Sequence, residues 1–209
     1  MDKPRTYWDT FTTSYQMGRQ KHRLYLLDLM RSNGVTSLLD VGCGTGPIYE
    51  ILKQDNDLMV YKGVDYSPAM IEVAKKSFPE ASFEVEDARK LSEENSSWDC
   101  VLLMHCLDHL DDYKSAIKEA ARVSKKYVCI VLWRSFIQGP ENHLNDRNMY
   151  GKKEDEAPWK DTHLLEYSKE RLDEEFEKNN LKVVKIADGE DINEPGKYNW
   201  LVFLKNEKN

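Results

Sequence analysis

The segment Leu38-Leu39-Asp40-Val41-Gly42-Cys43-Gly44-Thr45-Gly46 constrains this chain more than any other: an apolar run that breaks into three glycines, each one residue apart. The run reads as a buried strand over residues 37–41. Pro47 follows, and its fixed φ and missing N–H suit the first position of a helix. Small residues at a strand-to-helix turn let the backbone approach a ligand closely, in the crevice beyond the carboxyl ends of the strands. A turn of this kind commits the chain to an α/β architecture.

The rest of the sequence alternates accordingly. Leu24, Leu27 and Met30 repeat at helical spacing over residues 19–32, and Asn33-Gly34 ends that helix. Residues 58–64 read as a second strand. Ser67-Pro68 then supplies an N-cap and a first-turn proline for a helix carrying Met70, Ile71, Val73 and Ala74. Residues 81–85 form a short third strand, and residues 100–104 a continuous apolar fourth, the pattern of a strand covered on both faces. A helix with Ala116, Ile117, Ala120 and Val123 leads to a fifth strand at 127–133. Then the pattern changes. A helix over 168–180 precedes a strand at 182–186, and a turn-rich stretch with no helix leads to a last strand at 199–204, which predicts antiparallel pairing. The expectation is a three-layer α-β-α Rossmann-like sandwich with a mostly parallel seven-stranded sheet and an antiparallel last strand. At 209 residues the chain fits one domain. Residues 1–34 read as a helical N-terminal lid, 35–133 as the ligand-binding core, 134–167 as an insertion and 168–209 as a C-terminal helix and strand hairpin.

The glycine turn is wrong for a dinucleotide. A pyrophosphate site wants G-x-G-x-x-G; here the third glycine comes one position early and Pro47 stands where the pattern needs glycine. Asp40 would repel a nearby pyrophosphate but suits an ammonium or sulfonium group, unless it merely ties down the loop. Asp65, about twenty residues on, can accept both hydroxyls of a ribose, or serve as a helix N-terminal acid. Asp87 follows the third strand and can accept from an adenine amino group, or be a solvated loop acid.

Taken together, residues 40–46, Asp65 with Ser67 and Met70, Asp87-Ala88, and the run from Trp98 through His109-Leu110 resemble the ordered motifs of class I S-adenosylmethionine-dependent methyltransferases, over about residues 36–135. The resemblance implies S-adenosyl-L-methionine as cofactor, S-adenosyl-L-homocysteine as product and no metal. It implies that Gly42, Gly44 and Gly46 pack against the methionine part, that Asp65 with neighbouring Tyr66 holds the ribose, that Met70 covers the adenine and that Asp87 and Ala88 read its edge. His105 would lie beside the methionine through its backbone.

Methyl transfer from a sulfonium needs alignment more than acid–base machinery, and a base only where the acceptor must lose a proton. No catalytic residue is therefore assigned. His105 and His109 flank the fourth-strand loop, although His109 also fits a loop-packing position; His163 and Tyr15 are further candidates. Cys106 follows His105 rather than a proline, which argues against covalent RNA cytosine chemistry. The fourth-strand motif also lacks the Asn/Asp-Pro-Pro-Tyr/Phe of DNA amino-methyltransferases. Acceptor recognition is expected in the two least regular segments. One is the N-terminal aromatics Tyr7, Trp8, Phe11 and Tyr15; the other is the insertion, with Phe136, His143, Arg147, Tyr150, Trp159 and His163. Arg134 and Arg147 there suit a substrate carboxylate or a surface ion pair.

Charge bounds the partners. A net charge of −7 offers no broad basic face for nucleic acid. Cys43, Cys100, Cys106 and Cys129 have no CxxC spacing and read as reduced thiols. No apolar run reaches membrane-spanning length and the first residues lack the apolar core of a signal peptide, so a cytoplasmic monomer or homodimer acting on a small-molecule methyl acceptor, away from DNA and membranes, is expected. A protein or RNA acceptor, and a cofactor-binding module without transfer activity, remain as alternatives.

Overall fold

The computed structural model describes residues 20–132, 142–145, 163–188 and 200–207. The elements run α1 (Lys21–Ser32), β1 (Ser37–Val41), α2 (Pro47–Gln54), β2 (Val60–Asp65), α3 (Pro68–Ser77), β3 (Ser82–Val85), β4 (Trp98–Met104), a 3-10 turn (Leu107–His109), α4 (Tyr113–Val123), β5 (Ser124–Leu132), β6 (Asn142–Asn145), β7 (His163–Glu166), α5 (Lys169–Lys178), β8 (Leu181–Ala187) and β9 (Trp200–Asn206). Seven strands form one sheet in the order β3-β2-β1-β4-β5-β9-β8. The first five are parallel, and β9 runs antiparallel to both its neighbours. The sandwich and its reversed last strand are as the sequence predicts.

Strand alternation divides the core in two. Leu39, Val41, Val101 and Leu103 face α4 and α5, whereas Leu38, Cys100 and Leu102 face α1, α2 and α3. Both faces being covered, β1 and β4 are buried along nearly their whole length. Asn206 locks the end of β9: its buried amide donates to Ala121 O, Ser124 O and Ser124 Oγ at 2.7–2.9 Å.

Helix starts follow local chemistry. Ser67 Oγ accepts from Met70 N at 3.1 Å, as its N-cap position predicts, and Ser168 caps α5 in the same way. Strand bounds shift for equally local reasons. The second strand begins at Val60 rather than residue 58, because Asp57 Oδ1 takes the Met59 N–H at 3.0 Å in a turn that leaves Leu58 fully exposed. The fourth begins earlier, at Trp98, since Asp99 is tied by Thr36 (N and Oγ1) and by Ser37 Oγ to the entry of β1.

The insertion is not structureless. Its described residues form a two-stranded antiparallel pair, Asn142 opposite Glu166 and Asn145 opposite His163, that the sequence pattern did not reveal. Chain threading brings β7 against the Leu107–His109 turn, and the Tyr167 ring just after β7 meets Tyr113 edge-on at 5.0 Å. Among the described residues no helix is long and apolar enough to cross a membrane.

Candidate functional site

The carboxyl ends of β1, β2 and β4 converge on the glycine turn. Gly42, Gly44 and Gly46 all adopt positive φ (79°, 56° and 88°), a backbone path that only glycine follows without strain. A Cβ on Gly42 would stand 3.0 Å from that of Cys106, and one on Gly46 would press on the Phe78 and Phe83 rings.

Where the turn's N–H groups go decides what it can bind. Gly42 N and Cys43 N donate to Val64 O at 2.8 and 3.0 Å, Gly46 N donates to Cys43 O at 3.1 Å, and Gly44 N donates to Asp65 Oδ2 at 2.8 Å. A pyrophosphate cradle needs such donors turned to the ligand. Here the protein itself takes four of them, and carboxylates gather around the turn instead.

Asp65 sits at the mouth of the turn. Its Oδ1 accepts the Ser67 N–H at 2.9 Å, so both oxygens are held in place by the backbone. Tyr66 beside it is half-buried. Asp40 is buried under the turn, 1% exposed, and accepts from the Tyr61 hydroxyl at 2.9 Å. Burial pushes its carboxyl up to about 7, against the opposing effects of the Tyr61 hydrogen bond and the Arg23 charge, while Asp65 adds repulsion. The register sets Gly63 opposite Asp40, and a Cβ there would meet Cys43 Sγ, Phe83 and Tyr61 Oη at 2.8 Å; glycine leaves the tyrosine its path to the acid.

Met70 is buried, 2% exposed, on the first turn of α3, and Ala88 is buried against the face shared with α4. Asp87 is gripped by Arg89, which offers its own N–H and Nε to Oδ1, both at 2.9 Å, and Nη2 to Oδ2 at 2.7 Å. The guanidinium thus fixes the orientation of the Asp87 carboxylate. That partner lies two residues away in the sequence, where no periodic pattern marks it.

His105 follows β4 with φ of 51°, its N–H donating to Val131 O at 2.8 Å. Burial first, then His22 and Arg23, lowers its imidazole well below the usual histidine range, so it is neutral at pH 7. His109 ends the 3-10 turn, half-buried, with its N–H toward Cys106 O at 3.3 Å. The Cys106 thiol is raised by burial and by Asp65, Asp108, Asp87 and Asp40, in that order, which makes it a poor nucleophile. The sequence did not single out His22 and Arg23. They occupy the first turn of α1, 3% and 5% exposed, where the helical period would have placed apolar side chains. His163 opens β7, but its side chain, like Tyr15 and the other N-terminal aromatics, lies outside the described residues, as do Arg134 and Arg147. Among the described residues no cluster of His, Cys, Asp or Glu is arranged to hold a metal ion.

Residues 39–131, the span that builds this crevice, match the family model described as Methyltransferase domain. Over that span the chain is similar to the methyltransferase-domain family, and the sheet around it has the Rossmann-like order. The domain is 33% identical over 94 residues to the ubiquinone/menaquinone biosynthesis C-methyltransferase UbiE of Campylobacter jejuni, a match covering 43% of this chain and 40% of that protein. The chain thus spans less than half the length of the curated relatives it matches. Solved structures share the whole fold at lower identity. A chain from the complex of the Haloferax volcanii Trm112 methyltransferase activator with a methyltransferase superposes with a TM-score of 0.69 at 16% identity, covering 99% of this chain and 98% of that one. The magnesium protoporphyrin IX methyltransferase of Synechocystis PCC 6803, solved with bound S-adenosylmethionine, gives 0.68 at 13% identity, covering 97% and 95%.

Proposed function

We propose that the protein is an S-adenosylmethionine-dependent methyltransferase acting on a small molecule. One observation carries the reading: the glycine turn spends its N–H groups on the protein while Asp40 and Asp65 close in around it. Such a site disfavours a diphosphate and favours a nucleoside with a positively charged tail.

The residues fit the cofactor. Gly42, Gly44 and Gly46 give the methionine part room, Asp65 with Tyr66 holds the ribose, Met70 covers the base, Asp87 and Ala88 read its edge, and the His105 backbone flanks the tail. When bound, the cofactor supplies a methyl group on a sulfonium whose leaving group is a neutral thioether. The chain's own work is then to align an acceptor in a dry crevice, which is worth about 7–11 kcal/mol. His105 and His109 are the candidates to take a proton at a ring nitrogen from an acceptor hydroxyl or amine, and the burial that keeps His105 neutral also makes it a weak base. The β6–β7 pair beside the Leu107–His109 turn is the wall of the acceptor site in this reading.

Calorimetry with S-adenosylmethionine and S-adenosylhomocysteine tests it. The folded protein is expected to bind both, and Asp65→Ala to lose most of that affinity. A folded wild type that binds neither, or that prefers NAD, would overturn the proposal. Formation of S-adenosylhomocysteine with any metabolite acceptor separates the enzyme from a binding module. A second reading, a protein or RNA acceptor presented with a partner subunit, draws support from the full-length likeness to the Haloferax volcanii chain bound to an activator. Turnover of small acceptors by the purified chain alone would speak against it.

A further inference from the structure

Strands β3 and β4 are parallel members of one sheet with β2 and β1 between them, and a connection of this kind is usually an α-helix. Residues 86–97 make the crossing without one. The crossover opens with Glu86-Asp87-Ala88, so whatever fixes it also fixes the residues that meet the base edge in the reading above. Arg89 orients the Asp87 carboxylate; the crossover places its backbone.

Without a helical ladder, side chains of neighbouring elements take up the backbone groups of the crossover. Glu119 of α4 accepts the Leu91 N–H at 2.9 Å, and Arg122 donates to Leu91 O at 3.0 Å and to Glu93 O at 2.7 Å. Glu86 accepts the Ser92 N–H at 2.9 Å and the Ser92 hydroxyl at 2.7 Å, while its own N–H donates to Asp65 O at 3.0 Å.

Lys62 of β2 ties these pieces together. Two residues before buried Val64, it lies on the sheet face that α4 covers and that the crossover spans. Its ammonium donates to Glu93 at 2.6 Å and to Glu84 at 2.7 Å, and it reaches Glu86 at 3.4 Å. Glu93 in turn accepts from Trp98 Nε1 at 2.9 Å. Burial alone would lower the Lys62 ammonium, but the hydrogen bonds to Glu84 and Glu93 and the charges of Glu93 and Glu86 raise it on balance and keep it protonated. The side chains of Lys62, Glu86 and Glu93 are 12%, 9% and 15% exposed, so water screens them little. Without the ammonium, Glu84, Glu86 and Glu93 would repel one another, and Glu86 is the immediate neighbour of Asp87.

We propose that Lys62 is a positioning residue for base recognition: through Glu86 and Glu93 it holds the crossover so that Asp87 and Ala88 select adenine over a base lacking the exocyclic amino group. The assignment rests on the cofactor reading above. Lys62 stays clear of the ligand and acts through the carboxylate next to the one that meets it.

Calorimetry on the full chain compares S-adenosylhomocysteine with S-inosylhomocysteine, in which an oxo group replaces the amino group of the base. Wild type is expected to prefer the adenine form by about 10- to 100-fold. Lys62→Met should bind the two nearly alike, having lost affinity for the adenine form, and Lys62→Arg, which keeps the charge, should retain most of the preference. A merely structural lysine would weaken both ligands together and leave their ratio unchanged; that outcome, or no change at all, overturns the proposal. Equal binding of the two by wild type removes the base-edge reading and this assignment with it. Folded wild type that binds neither removes the cofactor reading itself. Circular dichroism verifies folding. Should Lys62→Met not fold, Glu93→Gln carries the comparison: it keeps an acceptor for Trp98, takes away a charge that holds Lys62 and is expected to shrink the same preference, and an unchanged preference overturns the proposal.

Discussion

Asp40 holds its proton more tightly in the folded chain than an exposed carboxyl does, because burial outweighs the help of Tyr61 and Arg23. The unfolded chain releases that proton near pH 4 and the folded one near 7, so between those values folding takes up protons. Asp40 therefore costs stability progressively as the pH rises from 4 to 7, by about 4 kcal/mol in all, and the cost is constant above. The groups facing it are Tyr61 and Asp65 from β2, Arg23 from α1 and Cys43 from the turn. Asp99, Glu93 and Glu119, whose values are lowered, contribute the opposite slope at acid pH, so the informative quantity is a difference. Asp40→Asn, which keeps an acceptor for Tyr61, is expected to gain on wild type as pH rises from 5 to 7 in urea midpoints. A pH-independent difference would contradict the burial argument. Gly63→Ala attacks the same spot by volume. Its Cβ would crowd Cys43, Phe83 and the Tyr61 hydroxyl, and a loss of about 1–3 kcal/mol is expected in the same denaturation experiment, with little effect from the equivalent change at the open Gly34 beyond backbone strain.

At the scale of elements, the capping chemistry and the apolar runs were plain in the sequence because they are local. Ser67-Pro68 starts α3 and the three glycines turn β1 into α2 as their chemistry requires. Asp65 reaches the glycine turn because the alternation places consecutive parallel strands side by side. What the sequence hid depends on contacts far along the chain. Arg23 and His22 look like surface residues until α1 is laid across the sheet. The β6–β7 pair escaped notice because four-residue strands without alternation carry no periodic signal. Asn206 is another such case: a polar residue near the end of a strand that becomes a buried clasp on α4 and β5. Asn206→Ala strips the donors from three buried acceptors, and a loss of about 2–3 kcal/mol is expected in thermal or urea unfolding. A neutral result would mean that solvent replaces the amide.

For the molecule as a whole, a ligand that binds only the folded chain stabilises it by mass action. Saturation with S-adenosylmethionine at 100 times its Kd is expected to add about 2.7 kcal/mol, which for a chain of this size raises Tm by about 5–11 °C in a thermal-shift assay. NAD at equal concentration should leave Tm unchanged. An equal shift with NAD would return the glycine turn to the dinucleotide class.

The sheet order has a last consequence, for synthesis. Strands β2 to β5 each find a neighbour among segments already made, but β8 emerges before the strand that joins it to the rest, because β9 fills the place between β5 and β8. Until residue 206 has left the ribosome, the exposed valines 183 and 184 of β8 belong to an orphan edge, and the flank of β5 lies open beside it. The nascent chain must therefore hold two unsatisfied strand edges apart from other chains until β9 slides in, so a product stalled or nicked before β9 should aggregate rather than persist as a smaller, functional protein.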